Sequence, residues 1–223
     1  MNVAIIQFPG TNCERDTQYA YECLGAKTHI VWHQEKQLPN DCALVVLPGG
    51  FSYGDYLRCG AIARFSPIIE AIKDFANAQG FVLGICNGFQ ILCEIGLLPG
   101  ALKRNENLHF ISKIQSLKVV HNDNAFLRPY ILAQEIKLPI AHADGHYFID
   151  AQGLESLKKH HQILLEYINN PNGSVAGIAG ICNKQKNVFG LMPHPERAIE
   201  DLLGGCDGLL MLKNLLQSES ARS

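Results

Sequence analysis

The sequence predicts an α/β fold with a mostly parallel central sheet and helices on both faces. As far as Pro99, short apolar runs of strand length alternate with helical patterns of roughly ten residues. These runs are mostly apolar and do not alternate with polar residues, which is typical of parallel strands that are buried on both faces. After Pro99-Gly100, helical patterns become rare and turn-rich links separate the strands, which indicates a smaller antiparallel sheet.

The first half of the chain shows strands and helices in alternation. Thr11, with Glu14 three residues later, predicts a capping box that opens the first helix. Pro67 favours the first turn of the second helix. The third helix follows the fourth strand directly. The predicted strands are Asn2–Phe8, Thr28–Trp32, Ala43–Leu47 and Phe81–Ile85, and the predicted helices are 11–24, 67–79 and 87–95.

The second half is richer in strands, which turn-rich links connect. The predicted strands are Lys113–His121, Glu135–Ala141, Gln162–Ile168, Val175–Asn183 and Val188–Met192, and the predicted helices are Leu154–His160 and Gly208–Gln217. Repeats, low-complexity segments and linkers are not recognisable in the sequence. Residues 1–223 are therefore predicted to form a single domain.

Composition and charge argue against several classes of function. Charged residues make up 18% of the chain and the net charge is −2, so no basic field points to nucleic acid or to a membrane surface. Eight cysteines at irregular spacings fit reduced thiols rather than a disulfide framework. The N-terminal residues do not have the pattern of a signal peptide, and the apolar runs are shorter than a membrane span. A cytoplasmic protein is expected.

The segment around Cys86 has the spacing of a nucleophile elbow. The predicted strand Phe81–Ile85 runs into Cys86, and Gly84 and Gly88 complete the pattern Gly-x-Cys-x-Gly. Small flanking residues allow a tight strand-to-helix turn, and the positive end of the following helix favours a thiolate. The backbone N–H of Asn87 is then predicted to face a developing oxyanion. A buried structural cysteine is the alternative, because free cysteines are often buried.

A histidine and a glutamate that can serve this cysteine lie in Met192-Pro-His-Pro-Glu196, directly after a predicted strand. Each residue before a proline is driven towards extended backbone, so His194 and Glu196 are predicted to share one face. Glu196 would then fix the imidazole tautomer and leave the far nitrogen for the thiol of Cys86. A rigid loop with a solvated histidine and glutamate is the alternative.

Two glycines follow the third predicted strand in Pro48-Gly-Gly-Phe51. The carboxyl ends of adjacent parallel strands meet at one edge of a sheet, where ligands bind. The backbone N–H of Gly50, or that of Phe51, is therefore predicted to be a second oxyanion donor beside Asn87. A plain turn is the alternative.

Three further residues are predicted to contact the substrate: Phe51, Gln90 and His142. Gln90 is polar within an apolar helix, one turn from the cysteine, and capping a buried backbone group is its alternative role. His142 and His146 are four residues apart, as zinc ligands on a helix can be, but Gly145 argues against a helix here. No metal site is predicted, and the loop is interpreted as lying beside the substrate.

These motifs together resemble a class I glutamine amidotransferase domain, and most closely the glutaminase subunits of phosphoribosylformylglycinamidine synthase. The segments that carry the resemblance are Leu47–Ala63, Gly84–Gln90 and Gly190–Ala198, and the likeness runs nearly end to end. Of these, the part from Phe51 to Ala63 is specific to the synthase subunits. The loop Ala141-His-Ala-Asp-Gly145 departs from the family's usual Ala-His-Gly-Glu-Gly.

The resemblance implies a three-layer, flavodoxin-like amidotransferase fold and a role for each site residue. Cys86 would be the nucleophile, His194 the general base and acid, and Glu196 the carboxylate that orients the histidine. Gly50 and Asn87 would donate backbone N–H groups to the oxyanion.

The resemblance also implies a function and partners. L-glutamine would be hydrolysed to glutamate and ammonia, and the ammonia would pass to a separate large synthetase subunit. That subunit uses ATP and Mg to convert formylglycinamide ribonucleotide to formylglycinamidine ribonucleotide in purine biosynthesis, and a small third subunit often completes the complex. This chain is expected to hold no cofactor, because neither a Walker A nor a Gly-x-Gly-x-x-Gly loop is recognisable.

Two other functions remain open from the sequence. One is a stand-alone Cys-dependent γ-glutamyl hydrolase or peptidase of the same fold, which would act without a synthetase. The other is a regulatory subunit with an inactive site, against which the intact set of Cys86, His194 and Glu196 argues.

Overall fold

The structure is a computed structural model, and it describes residues 1–220. The strands are Asn2–Gln7 (β1), Lys27–Trp32 (β2), Cys42–Leu47 (β3), Phe81–Ile85 (β4), Ala101–Lys103 (β5), Ile111–Val119 (β6), Glu135–His142 (β7), His146–Phe148 (β8), Ile163–Tyr167 (β9), Ile178–Cys182 (β10) and Val188–Leu191 (β11). The α-helices are Glu14–Cys23 (α1), Ile68–Asn77 (α2), Asn87–Glu94 (α3), Ala151–Lys159 (α4) and Leu209–Ser220 (α5).

One nine-stranded sheet forms the centre of the molecule, in the order β2-β1-β3-β4-β11-β10-β9-β6-β7. The first five strands of this order pair in parallel, and the remaining neighbours pair antiparallel. A separate two-stranded antiparallel sheet joins β5 and β8. The predicted α/β fold is confirmed. The long antiparallel strands continue the central sheet, because β11 pairs with β4 on one side and β10 on the other.

The parallel half holds the most continuous part of the core. Every residue of β4 is buried, and so are the central residues of β1 and the last four of β3. Helix α3 packs against β3, β4 and β11, α1 against β1 and β2, and α2 against β4. Burial on both faces explains why these strands read as unbroken apolar runs in the sequence.

The first helix begins later than its sequence pattern predicts. It starts at Glu14, and no side chain caps it, so the predicted capping box at Thr11 is wrong. The Thr11 hydroxyl instead accepts a hydrogen bond of 3.0 Å from the Phe8 N–H, and the Thr11 backbone bridges to Gly50. Pairing with the loop after β3 therefore keeps Thr11 outside the helix.

The predicted strand 175–183 is also shorter in the structure. Residues Val175–Gly177 form a 3-10 turn in which Ala176 has a φ of +52°, and β10 begins only at Ile178. Within the described residues 1–220, no helix combines the length and the apolar character that crossing a membrane requires.

Candidate active site

Loops after four parallel strands enclose a cavity of about 170 Å³ at the carboxyl edge of the sheet. These loops follow β1, β3, β4 and β11, and Phe110 and Ala141 close the cavity from the antiparallel half. The lining residues are Asn12, Cys13, Gly50, Phe51, Cys86, Phe110, Ala141, His194 and Arg197. The structure therefore brings the predicted nucleophile, its histidine and the Gly50 loop together, as the shared sheet edge predicts.

Cys86 occupies a strained turn between β4 and α3. Its backbone has a φ of +52° and a ψ of −105°, a conformation that a non-glycine residue rarely adopts. The flanking glycines make the turn possible. A Cβ on Gly84 would lie 2.7 Å from the Gly88 carbonyl carbon, and a Cβ on Gly88 would lie 1.9 Å from the Leu47 carbonyl oxygen. This is the geometry of a nucleophile elbow, which lifts one side chain away from the sheet edge.

His194 and Glu196 form a buried pair behind the cysteine. The imidazole Nδ1 lies 2.6 Å from Glu196 Oε1, and both side chains are almost fully buried. Burial lowers the pKa of His194, but the Glu196 carboxylate and the two neighbouring cysteines, Cys86 and Cys13, outweigh it, so the pKa lies well above its usual range. Glu196 thus fixes the imidazole and favours its charged form.

The predicted extended backbone across this pair is only half right. His194 itself is close to extended, with a φ of −106° and a ψ of 87°, but Pro195–Arg197 forms a 3-10 turn. The His194 N–H donates to the Pro139 carbonyl at 2.8 Å, which ties the pair to β7. The turn folds Glu196 back towards the imidazole. The predicted contact between the two side chains therefore forms through a 3-10 turn and not through extended backbone.

Gly50 and Asn87 present backbone N–H groups at the predicted positions. Asn87 is the first residue of α3, where N–H groups have no intrahelical partner. The Gly50 N–H makes no hydrogen bond within residues 1–220, whereas the Phe51 N–H donates to the Gly10 carbonyl at 2.9 Å. Of the two predicted donors, Gly50 is therefore the available one. Its φ of +149°, and a Cβ that would lie 2.7 Å from Thr11 Cα, require glycine.

The structure does not bring Gln90 to the cavity. Its Oε1 accepts from Asn87 Nδ2 at 2.8 Å, and its Nε2 donates to the Asp144 carbonyl at 2.8 Å. The Asn87 Oδ1 in turn accepts from the Ser52 N–H at 3.1 Å. Gln90 therefore caps a carbonyl of the loop between β7 and β8, as in the backbone-capping alternative, and through Asn87 it is linked to the segment after β3.

Phe51 lines the cavity, as predicted for a substrate contact, but His142 does not. The His142 Nδ1 faces Asn105 Oδ1 at 3.1 Å, and the Asn105 side chain also accepts from the Gly145 N–H at 2.9 Å. Burial, and then the charge of His194, lower the pKa of His142 to about 4. His142 therefore shapes the loop between β7 and β8 as a neutral side chain.

Asp144, where the loop departs from the family's usual glutamate, faces away from this cavity towards the segment after β3. Its Oδ2 accepts from the Cys59 thiol at 3.3 Å and lies 3.5 Å from Arg104 Nη1. The shorter carboxylate thus holds two loops of this chain together.

Sequence reasoning missed Cys13 and Arg197 as cavity residues. The Arg197 Nη2 lies 2.9 Å from Cys13 Sγ, and its Nε lies 3.1 Å from Asp16 Oδ2. The position of Cys13 just after a parallel strand was the available signal. Arg197 had no such signal beyond its adjacency to Glu196.

A larger cavity of about 590 Å³ lies beside the site and reaches Glu196 and Arg197 from α1, β6 and β7. Its lining, as described for residues 1–220, contains neither a cysteine nor a histidine. The smaller cavity, which contains Cys86 and His194, is therefore the candidate active site.

Comparisons with known proteins show which family the chain belongs to. A family model of the CobB/CobQ-like glutamine amidotransferase domain matches residues 1–206. Phosphoribosylformylglycinamidine synthase subunit PurQ from Helicobacter hepaticus is 73% identical over 216 residues, which cover 97% of each chain. The subunit of the same name from Wolinella succinogenes is 64% identical over 216 residues, which cover 96% of this chain and 99% of the relative.

Among solved structures, that of PurLQS from Thermotoga maritima contains a similar chain. The two chains superpose with a TM-score of 0.88 at 42% sequence identity, over 99% of this chain and 98% of that one. The family match, the identities and the coverage lead to one conclusion. The chain belongs to the CobB/CobQ-like glutamine amidotransferase family and, within it, to the PurQ subunits of phosphoribosylformylglycinamidine synthase.

Proposed function

We propose that this chain hydrolyses L-glutamine to glutamate and ammonia at Cys86, and that it supplies the ammonia to a separate synthetase subunit. One observation carries the proposal: a strained Cys86 shares a single cavity with a histidine whose Nδ1 is held at 2.6 Å by Glu196. A nucleophile, a base and an orienting carboxylate are the groups that acyl transfer from an amide requires.

The reaction begins when the sulfur of Cys86 attacks the side-chain amide carbon of glutamine. The oxyanion that forms on the amide oxygen is stabilised by the N–H groups of Gly50 and Asn87, each of which typically contributes some 10²–10³-fold to the rate. His194 carries the proton that the leaving nitrogen needs, so ammonia departs and a γ-glutamyl thioester remains. Water activated by His194 then hydrolyses the thioester to glutamate and frees Cys86.

The partners follow from the family. The relatives are named as subunits of a synthase, and the Thermotoga chain was solved as PurLQS. We expect a large synthetase subunit to bind ATP and Mg and to convert formylglycinamide ribonucleotide to formylglycinamidine ribonucleotide with the ammonia made here. A small third subunit is expected in the same complex. The enzyme is thus a ligase of purine biosynthesis, with this chain as its glutaminase and without a cofactor of its own.

We place the complex in the cytoplasm. The buried thiols of Cys13, Cys86 and Cys182 form no disulfide within residues 1–220. Free thiols beside a nucleophile persist best in a reducing compartment, which supports this location.

The test is a glutaminase assay with and without the synthetase subunit, combined with Cys86→Ala. The variant should abolish glutamine-dependent synthesis by the complex and leave ammonia-dependent synthesis intact. Loss of both activities would mean that Cys86 has a structural role. Full glutaminase turnover by the isolated chain, unaffected by the synthetase, would favour the stand-alone hydrolase. A glutamine-derived affinity label that fails to modify Cys86 in the complex would refute the amidotransferase chemistry.

A further inference from the structure

A second buried thiol, that of Cys13, lies beside the proposed catalytic pair. Its sulfur, an imidazole nitrogen of His194 and a carboxylate oxygen of Glu196 all lie within 4.8 Å of one another. Cys13 is 2% exposed, and it lines the same cavity as Cys86. The chemistry at Cys86 uses no second sulfur, so the position of this thiol needs an explanation of its own.

The backbone around Cys13 holds the sulfur close to the imidazole. The Cys13 N–H donates to the Gly49 carbonyl at 3.1 Å, and the Cys13 carbonyl accepts from the Thr17 N–H at 3.0 Å and from Thr17 Oγ1 at 2.8 Å. A Cβ built on Gly49 would lie 3.0 Å from Cys13 Sγ and 2.7 Å from His194 Cε1. A glycine at this position therefore leaves room for the sulfur and the ring to approach each other.

Two side chains orient the thiol. Cys13 Sγ donates to Asn12 Oδ1 at 3.1 Å and accepts from Arg197 Nη2 at 2.9 Å. Arg197 is itself held by a bond of 3.1 Å from its Nε to Asp16 Oδ2. Because the thiol proton is directed to the Asn12 amide, the sulfur lone pairs are left to face cationic groups. A cysteine that only filled space would not need these contacts.

The groups around His194 come from four parts of the fold. Burial lowers the pKa of His194, whereas Glu196 in the turn after β11 and Cys86 at the elbow raise it. Cys13, at the start of α1, raises that pKa further. His142 on β7 also faces this charge, but its own pKa is lowered to about 4, so it stays neutral. Cys13 is thus one of three neighbours that favour the imidazolium.

We propose that Cys13 is a positioning residue of the glutaminase, whose sulfur, held by Arg197, keeps the imidazole of His194 charged and in place during the reaction. The inference rests on the proposed function. The proton of the Cys86 thiol passes to the imidazole as the sulfur attacks, and then to the leaving nitrogen. Cys13 neither attacks the substrate nor takes the proton, and it acts on the imidazolium that exists between these two transfers.

An NMR titration of the full chain tests the contact without requiring turnover. The imidazole signal of His194, assigned by its loss in His194→Gln, should titrate at lower pH in Cys13→Ala than in the wild type. Cys13→Ser should titrate between the two, because a hydroxyl oxygen still accepts a hydrogen bond. Cys182→Ala is the matched control, since it removes a buried thiol whose charged neighbours are Lys186 and Asp123. This control should leave the His194 titration unchanged.

Kinetics of the complex test the effect on the reaction. In Cys13→Ala the glutaminase kcat should fall about 10-fold, as for the loss of one hydrogen bond to a charged group, with the KM for glutamine nearly unchanged. The limb of the pH profile of kcat that reports His194 should move to lower pH. Cys13→Ser should recover part of the kcat. Ammonia-dependent synthesis by the same preparations should be unchanged.

A packing role predicts a different pattern, in which alanine is tolerated at least as well as serine and the His194 titration does not move. An unchanged titration midpoint in Cys13→Ala, or a serine variant no closer to the wild type than the alanine variant, would overturn the proposal. If the alanine variant does not fold, an unchanged midpoint in Cys13→Ser overturns it. A shifted midpoint in a chain that never hydrolyses glutamine, even with its synthetase, would instead refute the proposed function and leave the contact between Cys13 and His194 standing.

Discussion

The two buried histidines on either side of the site differ in charge, although both belong to strand ends. His194 follows the parallel strand β11 and is 2% exposed, and His142 ends the antiparallel strand β7 and is 3% exposed. A carboxylate partner raises the pKa of His194 well above its usual range against the effect of burial. His142 has an amide partner, Asn105, and burial lowers its pKa to about 4. The partner, and not burial, decides which imidazole can carry a proton.

The same contrast holds for the wider regions around the two histidines. The parallel side is built from closely packed backbone, with glycines at Gly49, Gly84 and Gly88 where side chains would collide. On the antiparallel side, the loop between β7 and β8 is held by side-chain amides: Asn105 accepts from the Gly145 N–H, and Gln90, which reaches across from α3, donates to the Asp144 carbonyl. We therefore expect substitutions on the parallel side to affect chemistry and folding strongly, and those on the antiparallel side to have graded effects.

The largest expected effect comes from removing the charge that distinguishes His194. In Glu196→Gln the amide cannot stabilise an imidazolium, and its NH₂ group can favour the wrong tautomer. We expect the glutaminase kcat of the complex to fall about 10³–10⁴-fold, as for the equivalent change in other triads. Ammonia-dependent synthesis by the same preparation is the control and should be unchanged. A loss of less than about 10-fold would show that His194 does not need its carboxylate.

The sequence was most informative where the residues of a motif lie within a few positions of one another. Gly84, Cys86 and Gly88 lie within five consecutive residues, and His194 and Glu196 are two apart, so short-range geometry carried both motifs. The parallel strands were equally clear, because burial on both faces leaves continuous apolar runs.

The residues that sequence reasoning missed or misplaced depend on long-range contacts. Arg197 meets Cys13 across 184 positions of sequence, and Gln90 meets Asp144 across 54. No pattern in the chain encodes which loop a side chain will reach after folding. The sequence is therefore compatible with Gln90 as a pocket residue and with Gln90 as a capping group, and only the structure distinguishes the two roles.

The next prediction tests whether close backbone packing is what excludes larger residues from the glycine positions of the parallel side. A Cβ in Gly88→Ala would lie 1.9 Å from the Leu47 carbonyl oxygen, and backbone on both sides cannot rotate away. We expect the free energy of unfolding in urea to fall by about 3 kcal/mol or more, the upper end for overpacking. Gly25→Ala is the matched control, because Gly25 has a φ of +81° but open space around it. The control should cost only about 1–2 kcal/mol, and equal losses in both variants would contradict the packing explanation.

The lowered pKa of His142 predicts a pH-dependent loss of stability. The unfolded chain protonates this histidine below its ordinary pKa of about 6.5, whereas the folded chain resists protonation down to about 4. The free energy of unfolding should therefore fall as the pH drops through this window, by up to about 1.4 kcal/mol per pH unit or about 2 kcal/mol by pH 5. Above the window His142 should contribute no pH dependence.

Urea unfolding of the wild type and His142→Gln at pH 7, 6 and 5 measures this contribution. The advantage of the wild type over the variant should shrink steadily towards pH 5. A constant difference between His142→Gln and the wild type across this pH range would mean that His142 gains its proton as easily folded as unfolded.

The last prediction distinguishes a bracing role from a substrate contact at Gln90. Gln90→Ala removes the bonds to Asn87 Nδ2 and to the Asp144 carbonyl, each of 2.8 Å, and leaves buried polar atoms without these partners. We expect the free energy of unfolding to fall by about 1–3 kcal/mol, with the KM for glutamine nearly unchanged, because the side chain does not line the cavity. Gln152→Ala, at an exposed position of α4, should change neither quantity. A raised KM with intact stability would make Gln90 a substrate contact, and the loop between β7 and β8 would then not need Gln90 to hold it in place.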